Sequence, residues 1–319
     1  MSVVYFIVQQ TMYFAIPLLV VALGGMFSER SGVVNIALEG IMLMGAFAGI
    51  FFIKIMQQTT NIDGQTLLLI AILLSGVVGL LYSLLHAYAS INMKADQVIS
   101  GTALNMFAPA FAIFTARMVQ NVQQISFSNQ FRIPEVAYLS QIPVIGDMFF
   151  KNAYITTYIG IGILLISTLV LYKTRFGLRL RSCGEHPQAA DSLGINIYKI
   201  RYAGVMISGF LAGIGGLIFI VPTSTNFNAT VAGYGFLALA VLIFGQWKPG
   251  RIFFASLFFG LMKTLAAAYS GIPILQTLPI PSNVYKMIPY IATIIVLIFS
   301  SKSSQAPKAS GIPYDKGSR

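Results

Sequence analysis

The sequence predicts an all-α polytopic membrane protein, and three observations support this fold class. Hydrophobic residues make up 56% of the 319 residues and charged residues only 9%, against roughly a quarter in soluble domains. The mean hydropathy is +0.79. Apolar runs of about 17–25 residues, long enough to cross a hydrocarbon core as helices, recur from end to end. A soluble enzyme, a disulfide-stapled secreted domain and a disordered chain are therefore excluded.

The apolar runs predict about nine transmembrane helices, within a range of about eight to ten. In chain order they cover 11–27, 33–53, 67–89, 98–116, 154–172, 202–221, 233–246, 252–270 and 288–300. The seventh is short and starts at Gly233-Tyr234-Gly235, which predicts a broken or partly buried helix. Small residues at helical spacing in the second and sixth predict close approach of helix backbones.

Basic residues predict the orientation of the chain, because cytoplasmic loops are enriched in lysine and arginine. The loop 173–201 is rich in both, whereas 222–232 has no charged residue. This asymmetry places the N-terminus outside and the C-terminus in the cytoplasm. Residues 1–300 then form the transmembrane domain, 117–153 is its external loop, and 301–319 is a polar cytoplasmic tail expected to be unstructured.

The residues that catalysis would need are missing from the sequence. No Gly-Lys dipeptide occurs, so the chain has no P-loop for ATP. His86 and His186 are the only histidines and Cys183 is the only cysteine, which leaves no zinc-site pattern. An intramembrane enzyme would also need clustered acids. The sequence therefore predicts a non-enzyme that binds no metal and no cofactor of its own.

Glu39 is the only acidic residue well inside a predicted span, and Asn35 precedes it by one helical turn, on the same face. Because a charge at bilayer depth costs about 3 kcal/mol or more, Glu39 is either a pathway or proton site, or a structural glutamate that ties a broken helix to its neighbours. The structural interpretation is favoured, since Glu39 lies near the helix end. Lys263 is a conceivable partner but is expected to extend towards the membrane surface.

Other polar and aromatic residues fall at comparable depth. Neutral amides, hydroxyls and rings suit an uncharged, hydroxyl-rich, ring-bearing solute, although hydrogen bonding between helices explains any single one equally well. The predicted pathway residues are Asn35, Glu39, Asn105, Thr225, Asn226, Tyr234 and Phe236.

A short helix is predicted within the loop 173–201. Pro187 suits its first position and Gly194 suits the position just past its end. A helix this short needs a surface to pack on, and the small side chains of Ala189 and Ala190 would let it enter a groove of a partner. The alternative is a solvated basic loop.

Four segments together resemble permease subunits of ATP-binding-cassette importers, in the family of ribose-type sugar, branched-chain amino acid and nucleoside permeases. They are residues 31–47, 95–105, 177–216 and 233–261. The last of them is most similar to the nucleoside branch, and within it to the shorter of two paired permeases. The resemblance implies a helical bundle like that of type II importers, in the cell membrane.

The resemblance also implies partners. The loop helix would couple to a separate ATPase subunit that hydrolyses ATP, and a second permease chain would complete a heterodimer. An external substrate-binding lipoprotein would deliver a nucleoside to the surface formed by 117–153, 222–232 and 271–287; no nucleic acid is expected. The residues that match the coupling pattern are Glu185, Pro187, Ala189, Ala190, Gly194 and Ile195, whereas His186 departs from it.

Two alternatives stay open at this point. One is an importer permease of the same class that carries simple sugars. The other is a secondary transporter that is driven by an ion gradient and relies on Glu39. Uptake that depends on ATP would separate the first from the second.

Overall fold

The computed structural model describes residues 2–136, 139–269, 281–300 and 305–317. Its helices in the first half of the chain are α1 Ser2–Arg30, α2 Leu38–Thr59, α3 Gly64–Ala87, α4 Gln97–Gln120 and α5 Ile155–Lys173. Those in the second half are α6 Arg175–Glu185, α7 Pro187–Ser192, α8 Ile197–Thr223, α9 Tyr234–Phe244, α10 Pro249–Ala268 and α11 Ser282–Ser300.

Seven helices within the described ranges are long and apolar enough to cross a membrane, by length and composition. They are α1, α2, α3, α4, α5, α8 and α10. Shorter apolar helices form α9 and part of α11. These correspond to the predicted spans, so the prediction of an all-α polytopic membrane protein is confirmed, and the seventh predicted span is short as expected.

The second span starts later than predicted, and this changes the position of Asn35. Residues 31–37 form a non-helical connection, and α2 begins at Leu38. Gly32 adopts φ +98°, in the left-handed region, where the chain leaves α1. Ser28 Oγ donates to Val33 O at 2.7 Å and holds the connection in place. The prediction that Asn35 and Glu39 share one helical face is therefore wrong.

Helix α8 lies at the centre of the bundle, with 83% of its most apolar stretch buried. It packs against α1, α2 and α3 through small residues, because side chains of normal size would hold the backbones apart. A Cβ on Gly216 would collide with Met42 O, and one on Gly204 would lie 2.7 Å from Ser31 Cβ. Small residues in this helix therefore set the helix spacing, as the sequence pattern indicates.

Short strands cover one end of the bundle, which we call the strand end. Strand β1 Ile125–Ser126 pairs antiparallel with β4 Asn226–Phe227. Strand β2 Arg132–Glu135 pairs in the same way with β3 Lys151–Tyr154. Tyr13 of α1 donates to Asn152 O at 2.6 Å, so the first half of α1 lies at this end. The opposite end carries α6 and α7 and is called the α7 end.

We expect the substitution Gly216→Val to destabilise the bundle by about 1–3 kcal/mol, because the added side chain overpacks the contact between α2 and α8. Gly162→Val in α5 is the matched control, since no atom lies within 4 Å of a Cβ at that position. Thermal unfolding in detergent micelles measures both. Equal melting temperatures for the two variants would show that this contact does not limit helix packing.

Candidate functional site

The site is built around the point where α9 begins inside the bundle. Glu39, the second residue of α2, accepts a hydrogen bond from Gly233 N at 2.9 Å through Oε1 and one from Gly235 N at 2.6 Å through Oε2. The first N–H groups of a helix have no partner within the helix and carry its positive dipole end. Glu39 therefore caps α9, which is the geometry of the structural interpretation.

Two amide side chains near Glu39 hold the connection before α2 in place. Asn105 Oδ1 accepts from Gly40 N at 2.7 Å, and its Nδ2 donates to Ile36 O at 2.8 Å. Asn35 Nδ2 donates to Ser208 Oγ at 2.9 Å. Asn105 thus satisfies backbone groups that the break between α1 and α2 would leave unpaired. Both amides contact protein groups and not the cavity described next.

A cavity of about 370 Å³ lies between α9, α10 and α11, within the size range of small-molecule sites. Its wall is mostly apolar and includes the start of α9. Three side chains of the wall carry an aromatic ring or a charge. These are Phe236, Lys263 and Tyr290. Phe236 is 51% exposed and Tyr290 is 60% exposed, so both rings are accessible.

Lys263 faces this cavity. Its Nζ lies 5.3 Å from the centroid of the Tyr234 ring and 5.5 Å from that of Tyr290. Tyr234 is 1% exposed and stacks on Phe219 with 3.9 Å between centroids, so it lies behind the cavity wall. The expectation that Lys263 extends to the membrane surface is wrong, because the two rings hold its ammonium by cation–π contacts. No pattern in the sequence indicates a contact between residues of three helices.

The predicted pathway residues thus lie in three regions: around the cavity, at the strand end, and at the connection before α2, where the two amides described above lie. Phe236 lines the cavity, Tyr234 lies behind it, and Glu39 caps the helix that forms its wall. Thr225 and Asn226 lie at the strand end, where Thr225 O accepts from Phe127 N and Asn226 pairs with Ser126. The fold does not bring these last two residues to the cavity.

Helix α7 has the bounds that its sequence indicates. Pro187 is its first residue, and Gly194 follows its end with φ +79°. Ala189 is exposed, whereas Ala190 is only 2% exposed and packs beside Cys183. The expectation that both alanines face a partner is therefore wrong for Ala190, because consecutive helical residues lie on different faces.

Leu193 is the side chain at the α7 end that sequence reasoning missed. It follows α7 and is 81% exposed. Gln188 and Ala189 are exposed beside it, and together these three residues form what we call the α7 surface. Leu193 is thus an exposed apolar side chain directly beside the short helix α7.

Hydrogen bonds connect the α7 end to both α1 and α9. Glu185 pairs with Arg30 at 3.5 Å, and Arg30 Nη2 donates to Trp247 O at 3.2 Å. Trp247 Nε1 in turn donates to Glu29 Oε2 at 2.7 Å. Trp247 follows the end of α9, so these contacts join the start of α7 to the far end of the cavity-lining helix. We call them the Arg30–Trp247 contacts.

The C-terminal segment 305–317 is ordered, and the expectation of an unstructured tail is wrong for these residues. The rest of the predicted tail, 301–304 and 318–319, lies outside the described part of the chain. Ala309 N donates to Gly184 O at 2.8 Å, and Gly311 N donates to Gly32 O at 3.2 Å. The Tyr314 ring meets that of Tyr198 edge-on at 5.9 Å. The segment donates backbone hydrogen bonds to carbonyl groups at the end of α6 and in the non-helical connection before α2. It has no hydrophobic periodicity, so sequence patterns could not reveal this.

Residues 7–297 match the family described as branched-chain amino acid transport system, permease component. The chain is 44% identical to the nucleoside ABC transporter permease protein NupC of Lactococcus lactis subsp. cremoris, over 97% of this chain and 96% of that protein. It is also 44% identical to the guanosine ABC transporter permease protein NupQ of Bacillus subtilis, over 98% and 97%. The identity to the putative glucose ABC transporter permease protein TsgC13 of Haloferax volcanii is 30%, over 91% and 90%. No solved structure matches the chain.

We expect Glu39→Ala to destabilise the protein more than Glu39→Gln. The glutamine keeps one acceptor oxygen, whereas alanine leaves the N–H groups of Gly233 and Gly235 without an acceptor, which costs about 1–3 kcal/mol for the buried Gly235. Thermal unfolding in micelles measures the difference. Glu135→Ala, an exposed glutamate of β2, is the control and should leave the melting temperature unchanged. Equal stability of both Glu39 variants and the wild type would contradict the capping role.

We expect Cys183 to react slowly with maleimide in the folded protein. Burial raises the pKa of its thiol to about 11, and only the thiolate is nucleophilic. Labelling should therefore keep rising with pH up to about 11 and not level off near 9, the usual thiol value. Since Cys183 is the only cysteine, the readout is unambiguous.

The same label reports on the C-terminal segment. Tyr314→Ala should raise the labelling rate about tenfold or more at pH 8, because Tyr314 packs in the cluster that covers Cys183. Ile312→Ala, at a side chain that is 57% exposed, is the control and should leave the rate unchanged. If Cys183 were labelled as fast in the folded wild-type protein as in denaturant, the packing of this segment over Cys183 would be disproved.

Proposed function

The chain belongs to the branched-chain amino acid transport system permease family, and from this premise we propose that it is the membrane subunit of an ATP-binding-cassette importer for nucleosides. The observation that carries the substrate class is the 44% identity, over nearly full length, to two permeases whose names give nucleoside and guanosine as what they transport. The multi-pass bundle and the half-length α9 fit a translocation subunit.

The α7 surface is the docking site for a separate ATPase subunit in this proposal. Its exposed apolar side chain, Leu193, and its small residue, Ala189, fit a groove on a protein partner. The proposal places the α7 end in the cytoplasm, because basic residues concentrate there. The N-terminus of α1, at the strand end, is then outside.

The Arg30–Trp247 contacts give a route from the ATPase to the solute path. A shift of α7 moves Glu185, which pairs with Arg30, and Arg30 holds the backbone that follows α9. Helix α9 starts at the cavity, where Glu39 fixes its other end. A displacement driven by ATP at α7 would therefore tilt α9 about the Glu39 cap and change the cavity opening.

The cavity suits a neutral solute with a planar ring. The accessible rings of Phe236 and Tyr290 offer stacking surfaces, and stacking of a nucleobase on an aromatic side chain contributes about 1–3 kcal/mol. In this proposal a second permease chain completes the path as a heterodimer, and an external lipoprotein delivers the nucleoside at the strand end. Of the predicted docking segment 271–287, residues 271–280 lie outside the described part of the chain.

Two alternative functions have less support, one because of the geometry at Glu39 and the other because of the sequence identities. A transporter coupled to an ion through Glu39 needs a carboxyl group that can exchange protons, yet both oxygens of Glu39 accept backbone N–H groups. A permease for simple sugars has support from the 30% identity to the putative glucose permease. The higher identity to nucleoside and guanosine permeases favours nucleosides.

The test of this function is reconstitution of the chain with its paired permease and ATPase subunits in liposomes. Nucleoside accumulation should require ATP on the ATPase side and the external receptor on the other, and it should survive collapse of the proton gradient. Accumulation by the purified chain alone, without nucleotide hydrolysis by any companion, would overturn the proposal. Uptake of glucose without uptake of nucleosides would favour the sugar alternative.

We expect Leu193→Asp and Ala189→Asp to lower co-purification of the ATPase subunit about tenfold or more, because each places a charge in an apolar contact. Ile142→Asp is the matched control, since this side chain is 41% exposed in the loop at the strand end. The melting temperatures of all three variants should equal that of the wild type. Unchanged co-purification for both α7 variants would remove this surface from ATPase docking.

A further inference from the structure

We propose that Lys263, with Phe236 and Tyr290, forms a recognition site for the nucleobase that favours bases presenting a carbonyl oxygen. The inference rests on the proposed nucleoside transport and adds the residue that selects among nucleosides. The geometry that carries it is the position of one ammonium group at the cavity wall, beside two accessible rings.

Among the described residues, the ammonium of Lys263 has no hydrogen-bonded or ion-paired partner, although the charge of Glu39 acts on it from a distance. Charged residues in membrane spans usually pair with one another or with backbone carbonyls. Among the residues that the structure describes, no carboxylate lies within 4.0 Å of its Nζ and no group accepts a hydrogen bond from it; its close contacts are the rings of Tyr234 and Tyr290. Its three N–H donors are therefore available to a ligand.

The acidic residue expected as its partner is engaged elsewhere. Both carboxylate oxygens of Glu39 accept hydrogen bonds from the start of α9, at Gly233 and Gly235. The charge of Glu39 still acts on Lys263, but the cap uses both carboxylate oxygens, so neither oxygen accepts a hydrogen bond from the Lys263 ammonium. A cation held against π faces in this way is positioned while its donors remain unpaired.

The chemistry of the ammonium determines which base it favours. An ammonium group donates hydrogen bonds and accepts none. Guanosine, inosine and uridine present an exocyclic carbonyl oxygen that can accept from it, whereas adenosine carries an amine at the position where inosine has the carbonyl and offers only ring nitrogens as acceptors. A site built to hydrogen-bond one group discriminates strongly against an analogue that leaves it unpaired.

The rings complete the site and contribute without discriminating. Phe236 and Tyr290 belong to different helices, α9 and α11, and line the same cavity as Lys263. Every base has a π face, so stacking on either ring serves purines and pyrimidines alike. Lys263 then determines which base is preferred, and the two rings contribute binding affinity for every base.

The experiment measures binding of radiolabelled inosine to the purified transporter complex without its external receptor, so that receptor specificity does not enter. Unlabelled inosine should compete about tenfold or more better than adenosine in the wild type, the ratio expected from one unmatched hydrogen bond. Lys263→Gln offers an acceptor as well as a donor, so this ratio should fall to about threefold or less. Lys263→Met should weaken inosine binding and leave adenosine binding unchanged.

Two controls separate selection from folding. Lys286→Gln changes an exposed lysine of α11 and should leave the ratio unchanged. Phe236→Leu, at a half-exposed position, should weaken inosine and adenosine binding by the same factor. Melting temperatures identify any variant that fails to fold. If a Lys263 variant does not fold, the ratio of inosine to adenosine competition in the wild type and in the Phe236 variant still tests the inference.

Any one of three results would overturn the inference. They are equal competition by inosine and adenosine in the wild type, no detectable nucleoside binding, and an unchanged competition ratio in Lys263→Gln. The proposed function is judged separately, by ATP-dependent uptake in the reconstituted complex. A complex that imports nucleosides but shows no effect at Lys263 would retain the function and lose this site. A complex that binds with the expected ratio but does not import would retain the site and lose the function.

Discussion

The hydrogen bonds from Gly233 and Gly235 to Glu39 are the interaction on which the rest of the structure depends. Inside a membrane, water is not available to the first N–H groups of a helix, so a helix that starts there needs an acceptor from the protein. Glu39 supplies both oxygens and compensates the positive end of the α9 dipole. This contact lets an 11-residue helix begin within the bundle, and the cavity exists because α9 begins there.

The non-helical connection 31–37 is the second consequence of that arrangement. It lets α2 start at Leu38, which places Glu39 beside the start of α9. Asn105 pairs with backbone groups at the end of this connection and in the first turn of α2, and the C-terminal segment reaches the same connection at Gly32. The Arg30–Trp247 contacts begin one residue before it. Structural elements from both ends of the chain therefore meet at one short segment between α7 and the cavity.

Sequence patterns located the elements better than the contacts between them. The small residues of α8 predicted its central packing, and Pro187 and Gly194 predicted the bounds of α7. Asn35 was assigned to a helix because the apolar run continues through the break, and hydropathy does not reveal a chain turn. Lys263 was assigned to the membrane surface because its two ring partners come from other helices. Tertiary contacts of this kind leave no local periodicity.

The sequence by itself determined the membrane environment, the approximate helices and the family, because hydropathy and motif order are properties of the linear chain. Only the tertiary structure decided that Glu39 is a cap, that Ala190 faces inwards while Leu193 faces outwards, and that residues 305–317 pack on the α7 end. The physical reason is that a polar side chain can form equivalent hydrogen bonds with several different partners. Which partner it meets depends on how the helices pack, and that packing brings together residues far apart in the chain.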